Sequence, residues 1–240
     1  MPVVVVVCFP YLQIDFSRLS TGVSQLWAFI ERLFTKPDAT YFPTLLGLMW
    51  ETILLSFVAT VAACIISFPI GLLAARNCSP HPVVGYAIKA VASVVRAMPD
   101  LLLALILAGS LGLGDVPGVI ALTITSAAFL IKMYAEALEV VDRKAVEGIT
   151  ASGGDWMAQR TIGVVPQAAQ DMIGLSLYAM DSNLRSAAIL GAVGAGGIGY
   201  DLSQAVRLFH FDRLGAIIVA IYLSVGIVDM LSSVIRRRIG

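Results

Sequence analysis

Long, nearly unbroken apolar runs dominate the chain, and polar residues gather in short breaks between them. A helix that crosses a bilayer needs about 20 mostly apolar residues. Residues 45–75, 82–111, 116–141 and 214–235 all meet that length. Residues 168–190 are more polar, but loop signals bound them on both sides and they read as a fifth span. The opening run, 1–11, is apolar but too short to span alone, and it lacks the basic start and small-residue cleavage site of a signal peptide. It reads as the outer end of a sixth helix. Residues 19–33 carry apolar positions at helical spacing and predict a short amphipathic helix at the membrane interface. The expected fold is an all-α integral membrane protein with five core transmembrane helices plus a partial or complete N-terminal sixth. Residues 1–44 form the N-terminal apolar segment and interfacial helix, and 45–240 a single transmembrane domain.

Composition supports the membrane as solvent. Of 240 residues 58% are hydrophobic and only 13% charged, and the mean hydropathy is +0.88. A soluble domain needs a far more polar surface. Sixteen basic and sixteen acidic residues cancel, so no basic stripe suited to nucleic acid stands out. Cys8, Cys64 and Cys78 lack metal-ligand spacing and read as small buried hydrophobes. Lys and Arg set the orientation. Arg76, Arg143, Lys144, Arg160 and Arg236–Arg238 fall on one side; Arg18, Arg32, Lys36, Arg207 and Arg213 fall on the other. The triple-arginine end directly after a spanning helix predicts a cytoplasmic C-terminus. Segment 142–166 then lies in the cytoplasm and 191–213 outside, which discounts the Asn77-Cys78-Ser79 glycosylation sequon.

The cytoplasmic segment 142–166 is long for a loop in so small a membrane protein. Glu147 is expected to begin a short helix that Gly153 and Gly154 end. Asp155 is expected to N-cap a second short helix bearing Trp156, Met157 and Ile162, which Pro166 halts before the next span. Two short helices across a glycine turn make a compact knob suited to a groove on a partner. Its spacing resembles the EAA loop of ABC importer permeases: an acidic residue (Glu147), a glycine six positions on (Gly153) and a proline thirteen beyond (Pro166). Gly148 and Ile149 replace the alanines usual after the acidic residue, and Gly163 and Val165 stand where isoleucine and leucine are usual.

From about residue 45 to the end the chain resembles the phosphonate/phosphite permeases. The resemblance rests on Glu51-Thr52, the run from Phe68 to Asn77, Arg96-Ala-Met-Pro-Asp100 with the leucines after it, the turn from Gly112 to Leu122, and above all the run from Asn183 to Gly199. It implies an ABC importer permease fold of the methionine/phosphonate type. The implied partners are a second copy of the chain, two cytoplasmic ATPase subunits docked on the knob, and an extracytoplasmic solute-binding protein near 191–213. The chain has no Walker A sequence, so ATP and magnesium are expected on the partner ATPase and no cofactor on this chain. It is read as a transport subunit of the bacterial inner membrane carrying a phosphorus oxyanion. Another small solute such as methionine is the nearer alternative, an anion channel or secondary transporter the more distant one. A membrane enzyme ranks last, because no nucleophile–base or metal-ligand constellation is present.

Gly194, Gly196 and Gly199, with Gly197 among them, fit the G-x-G-x-x-G dinucleotide pattern, but they follow a span rather than a strand. They read instead as a flexible or tightly packed outer gate. Three spans carry opposite charges at i, i+4: Arg96/Asp100, Lys132/Glu136 and Asp181/Arg185. Such pairs share a helix face and offset one another. Charges inside spans also mark paths, and Arg96, Lys132, Asn183 and Arg185 are the candidates for an oxyanion path. Glu51 and Asp229 are expected to meet neighbouring helices, and His81 and His210 to be solvated.

Overall fold

The computed structural model describes residues 16–35 and 39–239, and the opening apolar run with Cys8 lies outside them. Among the described residues the chain is helical throughout, with no strand. The main helices are α1 (Phe16–Thr35), α2 (Phe42–Ala74), α3 (Pro82–Arg96), α4 (Asp100–Leu111), α5 (Asp115–Glu139), α6 (Arg143–Ala151), α7 (Val165–Gly191), α8 (Gly197–Arg207) and α9 (Phe211–Ile239). Three helices among the described residues are long and apolar enough to cross a membrane: Phe42–Ala74, Asp115–Glu139 and Phe211–Arg238. The predicted 82–111 span is a broken pair: α3 and α4 are bent by 82° at residues 97–99. Pro99 is the cause, since it cannot donate to the helix ladder and instead starts α4 as its N-cap. Counted as one span the pair makes four. The fifth expected span, α7, is long enough but not among them, because Asp181, Asn183 and Arg185 make its second half polar.

α2 shows how the bundle packs. It is apolar all round, yet its buried positions include Ser56, Ala59, Thr60, Ala63, Ser67, Gly71 and Ala74, small residues at helical spacing. Larger ones such as Phe57, Val61, Ile65 and Phe68 stay exposed. Lipid is as apolar as leucine, so helices in a membrane associate through close backbone approach and side-chain hydrogen bonds. A Cβ on Gly71 would lie 3.0 Å from the Cβ of Tyr134 on α5, and Ser67 Oγ donates to the Ala127 carbonyl at 3.1 Å. α5 is the central helix: 56% of its most apolar stretch is buried, against 28% for α2. Cys78 is buried and Cys64 half-buried, both unpaired thiols.

α1 packs along α9, with Phe29 edge-on to Phe211, while Val23, Leu26 and Trp27 remain exposed. The knob, the α2–α3 turn and the Arg236 end of α9 gather at one end of the bundle. Arg160 bonds the Asn77 and Cys78 carbonyls, and Arg236 shares a groove with Val140 and Asp171.

Candidate functional site

The knob differs from its sequence reading in two respects. Its first helix starts at Arg143, capped by Asp142, whose Oδ1 accepts from the Lys144 amide at 3.0 Å. Glu147 sits mid-helix and does not begin it. Pro166 halts nothing: the chain is helical without interruption from Trp156 to Gly191, through a π-helical stretch at Gln159–Val164. Pro166 follows the π-helical stretch directly, in the first turn of the α-helical geometry that continues as α7. The other expectations hold. Gly153 turns the chain at φ +84°, a conformation that costs glycine no steric penalty. Asp155 caps the following turn, its Oδ1 accepting from the Ala158 amide at 2.7 Å. Trp156, Met157 and Ile162 are exposed.

The two departures from the EAA pattern fit each other. A Cβ on Gly163 would lie 3.0 Å from Ile149 Cδ1, and one on Gly154 would lie 2.5 Å from Ile149 Cγ2. The isoleucine that replaces a small residue on α6 thus fills the space left where glycine replaces a large residue before α7.

Arg96, Asp100, Ser126, Phe129, Ser182 and Asn183 line a half-open polar cavity of about 230 Å3 that runs from exposed Arg96 to buried Asn183, with Thr125, Tyr178 and Ala179 completing its wall. The structure therefore unites two of the four predicted path residues, Arg96 and Asn183. Lys132 and Arg185 are outside this lining. Only one of the three predicted charge pairs forms: Arg185 Nη2 lies 2.8 Å from Asp181 Oδ2. Arg96 and Asp100 are parted by the bend. The guanidinium of Arg96 rests 5.2 Å from the centre of the Phe129 ring, and Asp100 accepts from Ser186 Oγ at 2.8 Å. Lys132 and Glu136 share a helix but make no ion pair among the described residues; Glu136 instead lines the groove that holds Asp171 and Arg236.

Asn183 is a structural hub as well as a cavity residue. It is buried, accepts from Ser126 Oγ at 2.6 Å and donates to Thr60 Oγ1 at 2.9 Å. It thereby ties α7 to α5 and α2. Both contacts join residues far apart in sequence, so no local signal announces them.

At the opposite end, the turn between α7 and α8 is tightly packed rather than flexible. A Cβ on Gly191 would strike the Gly196 carbonyl, and one on Gly199 the Ala188 carbonyl. The first amides of α8 are satisfied by α2: Gly197 N donates to Glu51 Oε1 at 3.2 Å, and Ile198 N to Thr52 Oγ1 at 2.9 Å. Glu51 thus meets a neighbouring helix as expected, whereas Asp229 pairs at 3.9 Å with Arg236 of its own helix. The exposed imidazole of His81 caps α3, accepting from the Val83 amide at 3.2 Å. On α8, one Asp201 carboxylate oxygen is buried without a partner. Burial pushes that carboxyl up from its ordinary value, and the Arg213 charge offsets part of the shift. Burial likewise pushes the Cys78 thiol up, which keeps it an inert thiol.

The family follows from a comparison with known proteins. Residues 67–240 match the model of the binding-protein-dependent transport system inner membrane component. The chain belongs to that family. It is accordingly a multi-pass inner membrane permease of the ABC importer type, a transport component. It is 42% identical over 189 residues to the phosphate-import permease protein PhnE of Mycolicibacterium smegmatis, a stretch covering 79% of this chain. The chain spans only 36% of that relative's length. It is 30% identical to the phosphite transport system permease protein PtxC of Stutzerimonas stutzeri, across 98% of this chain and 85% of the relative. Its fold superposes on a chain of the inward-facing MetNI methionine ABC transporter with a TM-score of 0.74 at 20% identity, covering 85% of this chain and 99% of the other. The all-α permease fold expected from sequence is thereby shown, and the channel reading is displaced.

Proposed function

We propose that this permease carries a phosphorus oxyanion (phosphonate, phosphite or phosphate) inward across the membrane, driven by ATP hydrolysis on a partner. The observation that carries the reading is the half-open polar cavity lined by Arg96, in a chain whose relatives are named for phosphate, phosphite and phosphonate transport. A guanidinium fork matches the acceptor oxygens of such anions. Asp100 on the same wall keeps the site from holding an anion too tightly, since passage needs release as well as entry. Arg185 and Lys132 remain candidates for flanking stations on the path.

In this reading two copies of the chain enclose the path, and two ATPase subunits dock on the knobs, with ATP and magnesium bound there. Glu147, Gly153, Gly154, Asp155 and Pro166 shape the docking surface, and exposed Trp156, Met157 and Ile162 provide its apolar contact. The knob end and the C-terminus face the cytoplasm. A solute-binding protein delivers its ligand at the opposite end, where Gly194, Gly196, Gly197 and Gly199 form the outer closure.

The test is a mild-detergent pull-down of tagged chain from native membranes with mass spectrometry, followed by uptake assays in proteoliposomes with phosphite, methylphosphonate, phosphate and methionine. The reading expects an ATPase and a binding protein to co-purify, uptake of a phosphorus oxyanion, and loss of that uptake in Arg96→Gln with assembly retained. Methionine uptake, or anion conduction without ATP, would overturn it.

A further inference from the structure

Arg160 lies in the π-helical stretch of the knob, yet its side chain serves a different part of the molecule. Nε donates to the Cys78 carbonyl at 3.0 Å, Nη2 reaches the Asn77 carbonyl at 3.5 Å, and Nη1 donates to the Trp156 carbonyl at 2.8 Å. Its guanidinium carbon also lies 3.6 Å from the centre of the Trp156 ring. One planar fork therefore joins the exposed tryptophan of the knob to the turn between α2 and α3.

That turn is itself tied onward. Asn77 Nδ2 donates to the Leu138 carbonyl at 2.6 Å, and Glu139 Oε1 accepts from the Arg76 amide at 2.8 Å. The same oxygen accepts from Lys89 Nζ at 2.6 Å, with both side chains largely buried. Lys89 is on α3, seven residues before Arg96. Two helical turns, about 10 Å, separate them on one face. α3 thus has one end clamped beside the knob and the other end bearing Arg96 at the polar cavity, just before the bend at residues 97–99.

We infer that Arg160 is a positioning residue of the transport cycle, which delivers movement of the knob through the α2–α3 turn and α3 to Arg96. The inference rests on the proposed docking of an ATPase on the knob. It gives that docking a second route to the cavity besides the direct helical continuation into α7. A lysine cannot replace the fork, because an ammonium is a compact point charge that neither bridges the carbonyls in this geometry nor stacks flat on the indole.

The experiment uses the complete complex isolated from native membranes and reconstituted in proteoliposomes. It reads phosphite, methylphosphonate and phosphate transported per ATP hydrolysed. In Arg160→Gln the complex stays assembled and hydrolyses ATP, while solute moved per ATP falls about tenfold, the scale of a typical coupling energy; Arg160→Lys falls between. A ratio equal to wild type, including the case where uptake and hydrolysis drop together, overturns the inference and leaves Arg160 a plain structural support. Should Arg160→Gln fail to assemble, Lys89→Gln reads the same route away from the knob: a reduced ratio sustains it, an unchanged one overturns it. A wild-type chain that recruits no ATPase overturns the docking reading and this inference together. A coupled wild type with coupled variants overturns the inference alone.

Discussion

The two ends of the bundle are joined by opposite means. At the knob end, long side chains span gaps to backbone groups: Arg160 to Asn77 and Cys78, Asn77 to Leu138, Glu139 to the Arg76 amide. At the glycine end only Glu51 reaches so, to the Gly197 amide, among the contacts described. Gly191 and Gly199 bring backbone against backbone, and the short side chain of Thr52 caps α8 directly. Struts of several rotatable bonds can follow a displacement while keeping their hydrogen bonds. A glycine contact has no such slack, because protein interiors are close-packed and deform between discrete arrangements rather than continuously. The difference separates an end joined mainly by extended side chains from an end joined mainly by close backbone contact.

Four variants break or sharpen that contrast. The largest effect is expected from Gly199→Val, whose added side chain meets the Ala188 backbone. Overpacking of this kind costs about 3 kcal/mol or more, read as loss of a monodisperse peak after heating in detergent. A variant as stable as wild type would show that the glycine end yields. Next is Glu139→Gln, which removes the charge that holds Lys89 and weakens the contact with the Arg76 amide. A loss of about 1–2 kcal/mol is expected from a charge-assisted pair, measured by the same melt, with the complex still assembled. Third, Asp155→Ala removes the cap on the Ala158 amide at a cost of about 1 kcal/mol. It should appear as faster amide hydrogen exchange confined to residues 155–160, and unaltered exchange there would count against the cap.

The smallest effect is a pH dependence at the glycine end. Asp201 holds its proton more tightly folded than unfolded, because burial raises its carboxyl. The folded state therefore binds more protons across the interval between the ordinary and the raised value, and stability declines as pH rises through it. Asp201→Asn should flatten that slope in a melt-versus-pH series; parallel slopes for the two proteins would refute the assignment.

Local chemistry alone determined a good part of this protein. The apolar runs marked the helices, Asp155 and Gly153 marked the knob, and the Asp181/Arg185 spacing marked an ion pair that forms at 2.8 Å. Glu147, Gly153 and Pro166 pointed to the family that the match over residues 67–240 establishes. Each of these signals lies within a few turns of chain, where helix geometry already places the partners.

Other features were legible only in three dimensions. α2 is apolar all round, so its sequence gives no amphipathic face; only the stripe of small residues hints at which side packs. The same i, i+4 spacing that pairs Asp181 with Arg185 fails for Lys132/Glu136, where neighbouring helices set the surroundings, and for Arg96/Asp100, where Pro99 breaks the shared face. Asn183 and Arg160 find their partners 57 to 123 residues away. Periodicity and capping are properties of one helix, whereas the cavity and the clasp are properties of several helices at once. The sequence by itself determined the helices, the membrane as their solvent and the family; the packing of one helix on another decided which polar groups meet.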